Sequence, residues 1–92
     1  MEGSFNGQCP LCGIATKYNF ADHQNVKQYS CYKCKTIQIS LHAERLLAGI
    51  PSIRAALAER AGAMEGHEAM DISVDDQNAL DSKVIDKTNL LK

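Results

Sequence analysis

The residues with chemistry to offer are four cysteines in two C-x-x-C pairs, Cys9-Pro10-Leu11-Cys12 and Cys31-Tyr32-Lys33-Cys34, separated by residues 13–30. A C-x-x-C pair on a tight turn sets two thiolates at adjacent corners of a tetrahedron, and two pairs at this spacing complete a four-cysteine site for one structural zinc ion. An isolated iron would use the same four ligands. All four positions of such a site are filled by protein, which leaves no corner for a substrate or an activated water. The chemistry expected of these residues is therefore structural. Gly13 follows the first pair and supplies the positive φ that such a turn needs, whereas Lys35 stands at the equivalent place after the second.

Two other uses of cysteine are disfavoured. Disulfides need an oxidising compartment, and Met1-Glu2-Gly3-Ser4 begins no basic-then-apolar leader, so a cytoplasmic location is expected. A redox C-x-x-C is a single motif in a βαβ setting, and here two copies flank short strands. His23, His42 and His67 are not needed by a site that already has four ligands, and His67-Glu68 lacks the second histidine of a zincin motif.

The elements that must position the cysteines follow from the side-chain pattern. Ile14, Thr16, Tyr18 and Phe20 alternate along one strand, Val26 to Ser30 returns as a second, and Thr36 to Ser40 makes a third. Asp22-His23-Gln24-Asn25 carries turn chemistry, and Met1 to Gln8 is expected to fray. Ser40 is a suitable N-cap for a helix with Ala43, Leu46, Leu47 and Ile50 on one face. Gly49 and Pro51 break it, and Pro51 can open a second helix carrying Ile53, Ala56, Leu57, Ala61 and Met64. From Glu65 the chain reads as an acidic linker. Ser73 with Asp75 and Asp76 then looks like the start of a third helix bearing Leu80, Val84 and Leu91, with a flexible tail as the alternative.

The expected fold class is thus small α+β: a three-stranded antiparallel sheet followed by two or three short helices. The expected units are a metal-bound ribbon over residues 1–40, a helical extension over 41–64, and an acidic linker with a helix or tail over 65–92. A chain of 92 residues buries too little surface to be secure on its core alone, which gives a metal a physical purpose.

Knuckle, hairpin, knuckle and strand, with Cys9, Cys12, Cys31 and Cys34 at the corners, resembles the zinc ribbon family over about the first forty residues. The run Ile39 to Leu47 is similar to the strand-to-helix exit of many uncharacterised bacterial and phage zinc-ribbon proteins. The resemblance implies metal binding. Ribbons serve transcription factors, polymerase subunits, ribosomal proteins and primases alike, so it assigns no activity.

Composition narrows the function classes. Net charge is −1, and residues 65–92 hold seven acids against Lys83, Lys87 and Lys92, an end that repels phosphate backbones and suits a basic protein surface. No apolar run is long enough to cross a bilayer. No nucleophile elbow, phosphate loop or catalytic carboxylate pair is found, so neither an enzyme nor a small-molecule substrate is expected. The leading expectation is a zinc-stabilised interaction module that binds a protein or itself through Leu46, Leu47, Ile50, Ile53 and Leu57. The alternative is single-stranded DNA or RNA binding by the ribbon, where Lys17, Lys27, Lys33 and Lys35 are interleaved with Tyr18, Tyr29 and Tyr32.

Overall fold

Side chains that alternate between apolar and polar along the chain end up on opposite faces of one sheet. The computed structural model describes residues 5–21 and 24–90. Four strands come first: β1 (Phe5–Gln8), β2 (Ala15–Ala21), β3 (Val26–Cys31) and β4 (Lys35–Ser40). Two helices follow, α1 (Leu41–Ala48) and α2 (Pro51–Gly62). The chain then returns as β5 (Glu68–Val74) and β6 (Leu80–Asp86), followed by a 3-10 turn at Lys87–Asn89, the last element among the described residues. All six strands form one sheet in sequence order. Neighbours are antiparallel except β4 and β5, which run parallel. A parallel join needs a long crossover, and α1 with α2 supplies it.

This architecture corrects the expected fold class. The structure is a six-stranded mixed sheet with two helices, mostly β, and not a three-stranded ribbon with helices appended. The segment expected to be a third helix or a tail is the β5–β6 hairpin, which completes the same sheet. Its turn shows why the residue types misled. Asp75 does cap backbone N–H groups, but those of Gln77 at 2.8 Å and Ala79 at 3.0 Å, and Asn78 sits at φ 60°. The acceptors that start a helix also close a hairpin. Phe5–Gln8, expected to fray, pairs with β2 in register, Phe5 against Tyr18 and Gln8 against Ala15. Asp22 and His23 of the expected turn, and Leu91 of the expected stripe, lie outside the described residues.

The helix boundaries obey local rules. Ser40 Oγ accepts from the Ala43 N–H at 3.1 Å and opens α1. The chain leaves α1 at Gly49, and Pro51 stands in the first turn of α2, where its missing N–H costs nothing.

Both helices lie on one face of the sheet. Ile37 and Ile39 of β4 stand in register with Met70 and Ile72 of β5, and all four are fully buried with Ala43 and Leu47 of α1 and Leu57 and Ala61 of α2. On the same face β3 carries a polar anchor. The Tyr29 hydroxyl donates to the Glu44 carboxylate of α1, and Lys27 Nζ reaches the other carboxylate oxygen at 3.0 Å while lying 4.7 Å from the Tyr18 ring centroid. Burial, and then the hydrogen bond to the Glu44 carboxylate, pushes the Tyr29 hydroxyl far above its ordinary range, so it stays a donor.

The opposite face carries a polar row across five strands: Asn19, Gln28, Gln38, Asp71 and Lys83 are successive register partners. Gln28 Nε2 donates to Gln38 Oε1 at 2.9 Å, and Gln38 Nε2 donates to Asp71 Oδ1 at 3.2 Å. These side-chain hydrogen bonds tie neighbouring strands together across a face on which Gln38 is itself buried.

Candidate metal centre

The cysteines sit on the two turns at one end of the sheet. Cys9 and Cys12 lie on the β1–β2 connection, where the Cys9 N–H donates to the Ile14 carbonyl at 2.9 Å and the Gly13 N–H to the Cys9 carbonyl at 3.0 Å. Cys31 ends β3, and Cys34 precedes β4 with its N–H donating to Cys31 Sγ at 3.4 Å. Both turns close with a positive φ on the residue after the second cysteine, Gly13 at 78° and Lys35 at 65°. The left-handed conformation is free for glycine and strained for lysine.

The four sulfurs all lie within 4.8 Å of one another, and Cys12 Sγ is 3.5 Å from Cys31 Sγ. Sulfurs at the corners of a tetrahedron with 2.3 Å metal bonds are ~3.8 Å apart, so this cluster closes around an ion with shifts of about 1 Å at most. The separations are far beyond the ~2.05 Å of a disulfide bond, and all four cysteines are free. The group therefore can hold a metal ion. Cys9, Cys31 and Cys34 are buried and Cys12 is half-buried. No histidine joins them among the described residues; His42 and His67 are exposed.

The local environment sets how the thiols ionise. Burial pushes the Cys9 thiol up to about 11 despite backbone donors from Cys12 and Leu11, and burial pushes Cys34 higher still. For Cys12 the cost of burial is outweighed by the Ile14 N–H and the neighbouring thiols, which lower its pKa. A dication supplies the charge that makes thiolates stable in such a place.

Two contacts clamp α2 to the centre, and neither has a signal in the sequence. Arg54 Nε donates to the Pro10 carbonyl in the first turn at 3.1 Å. Lys35 Nζ, from the second turn, donates to the Gly62 carbonyl at the end of α2 at 2.8 Å. The partners are separated by long stretches of chain, so only the crossover brings them together.

The other sequence-derived candidates are dispersed. Lys17 is exposed on the open face of the sheet, Lys27 is paired with Glu44 on the helix face, and Lys35 is held by Gly62. Tyr29 is buried against Glu44, while Lys33 and Tyr32 are exposed, Tyr32 at 84%. Of the apolar candidates, Leu47 and Leu57 are buried in the core, Leu46 is half-buried, and Ile50 and Ile53 are exposed. No helix among the described residues is long and apolar enough to cross a membrane.

Gly13→Ala tests the first turn. A Cβ there meets nothing within 4 Å, so the expected loss is backbone strain alone, about 1–2 kcal/mol, or a melting midpoint lower by about 4–8 °C per kcal/mol. Gly66→Ala, in equally open space without a positive φ, should leave the midpoint unchanged.

No family model, no curated protein and no solved structure matches this chain.

Proposed function

We propose that the chain is a non-catalytic binding module in which one structural zinc ion closes the four-cysteine centre and the body it braces associates with protein. The observation that carries this reading is the cluster itself: four sulfurs converge, three of them buried, and leave no donor-free corner. Four thiolates at tetrahedral spacing suit zinc, iron being the other ion that takes the same ligands, and a closed shell has a folding role and no catalytic one. Protein is favoured over nucleic acid as the partner because the lysines are divided between the two faces of the sheet and two of the four are engaged in internal contacts. Ile50, Ile53 and Val84 remain as exposed apolar groups on the helix side.

The test is metal content by native mass measurement, with association followed by light scattering and by capture on the zinc-loaded chain. One zinc per chain, and complexes that are lost when at least one of these exposed apolar groups is replaced by a charge, in Ile50→Asp, Ile53→Asp or Val84→Arg, are expected. A metal-free fold, or a strictly monomeric protein that captures nothing, overturns the reading. A salt-dependent shift of single-stranded DNA or RNA, lost in Lys33→Ala, would favour nucleic acid at the exposed Tyr32 and Lys33 tip instead.

A further inference from the structure

β6 is the last strand of the sheet, and among the described residues nothing pairs with its outer edge. Along these seven residues, the backbone groups of alternate positions face outward and are a template for another strand unless side chains prevent it. Here the side chains do not prevent it; they are self-complementary. Asp81 and Lys83 lie on the open face, as register partners of Ser73 and Asp71, while Leu80, Ser82 and Val84 lie on the helix face.

We propose that β6 pairs antiparallel with β6 of a second copy about a two-fold axis through Ser82, joining the two sheets into one. This deepens the reading of a protein-binding module by naming its partner and surface. In that register Asp81 faces Lys83 of the second copy, and the symmetry makes the ion pair twice. Lys83 then stands between Asp71 of its own sheet and Asp81 of the other, which extends the polar row across the junction.

The alternatives are worse. Sliding the second strand two residues one way sets Asp81 against Asp81, and two the other way sets Lys83 against Lys83; like charges directly opposite are destabilising. A slip of one residue would send the helices of the two copies to opposite faces. On the helix face the favoured register sets Leu80 opposite Val84 of the second copy. Val84 is 41% exposed in the single chain, and Leu80 lines a dimple of about 80 Å³ with Ile53 and Leu57. The second Val84 covers that dimple. Arg60 Nη1 holds Ser82 Oγ at 3.0 Å, so one guanidinium flanks the axis in each copy. Their mutual repulsion opposes the pairing and is weakened, not abolished, by salt.

The experiment is analytical ultracentrifugation of the full zinc-loaded chain and its charge variants, with melting and metal content checked for each. The wild type should dimerise. Asp81→Lys and Lys83→Asp should each raise the dimer dissociation constant by at least about tenfold, since each makes both cross-strand pairs repulsive. Mixing these two variants should restore a one-to-one dimer, because opposite charges then face each other again at both positions. Val84→Arg, at a position exposed in the single chain, should also prevent pairing, and it serves if Lys83→Asp fails to fold beside Asp71. A dimer indifferent to all three substitutions but lost in Ile50→Asp overturns this surface and leaves the module reading intact. A monomeric wild type overturns the pairing, and one that also captures no other protein overturns the module reading with it.

Discussion

A strong chelator added at neutral pH is expected to unfold the whole described sheet, and restoring zinc should refold it. A structural zinc contributes on the order of 10 kcal/mol in small thiolate sites, while domains of this size keep about 5–15 kcal/mol in total. Without the ion, Cys9 and Cys34 are buried neutral thiols, and the direct tie between the β1–β2 turn and the β3–β4 turn is lost. Loss should not stop at β4. Ile37 and Ile39 of that strand form the core with Met70 and Ile72, so releasing β4 exposes the second half as well. Circular dichroism in the far ultraviolet should fall in one transition. Acid should assist the chelator: the ion displaces protons from thiols whose pKa is raised, to about 11 at Cys9, so apparent affinity weakens as pH falls. An unchanged spectrum and melting midpoint after complete metal removal would show that the ion is not structural.

What could be read from the sequence was whatever is local. The two C-x-x-C turns announce themselves because ligand spacing is a constraint of a few residues, and the structure brings those same four sulfurs together. The alternation of Thr16, Tyr18 and Phe20, the Ser40 cap and the break before Pro51 are equally local, and each has its counterpart in β2, α1 and α2. The β5–β6 hairpin was harder. Met70, Ile72 and Val74 do alternate, as a strand should, but the acidic residues around them and a capping-type Ser73-Val74-Asp75-Asp76 outweighed that short signal. Nor does any residue type announce a parallel pairing of β4 with β5. That join depends on two amphipathic helices folding over one face, and their apolar stripe is equally consistent with an intermolecular surface. Leu47 and Leu57 belong to that stripe, and in the fold they are core and not an outer surface. The Arg54 and Lys35 clamps depend on the same crossover, which is why the reach from α2 to the cysteine turns could not be foreseen.

The crossover can be tested with one substitution in the segment for which the sequence predicts an acidic linker and a third helix or tail. Ile72→Ala is expected to cost about 2–5 kcal/mol, because the side chain is fully buried beside Ile39 and beneath the helices, and its removal leaves a cavity the packed face cannot fill. Against a total of about 5–15 kcal/mol, that is a large share, and the melting midpoint of the zinc-loaded chain should fall by many degrees. Ser73→Ala, next along β5 but pointing to the open face, should shift it by less than about 1 kcal/mol. The two results together depend on topology. If β5 were an extension hanging from a finished metal-bound domain, Ile72→Ala would be as mild as Ser73→Ala. If it is the strand that β4 needs as a neighbour, the loss at Ile72 should also loosen the cysteine turns, and the same substitution should weaken zinc retention against a chelator.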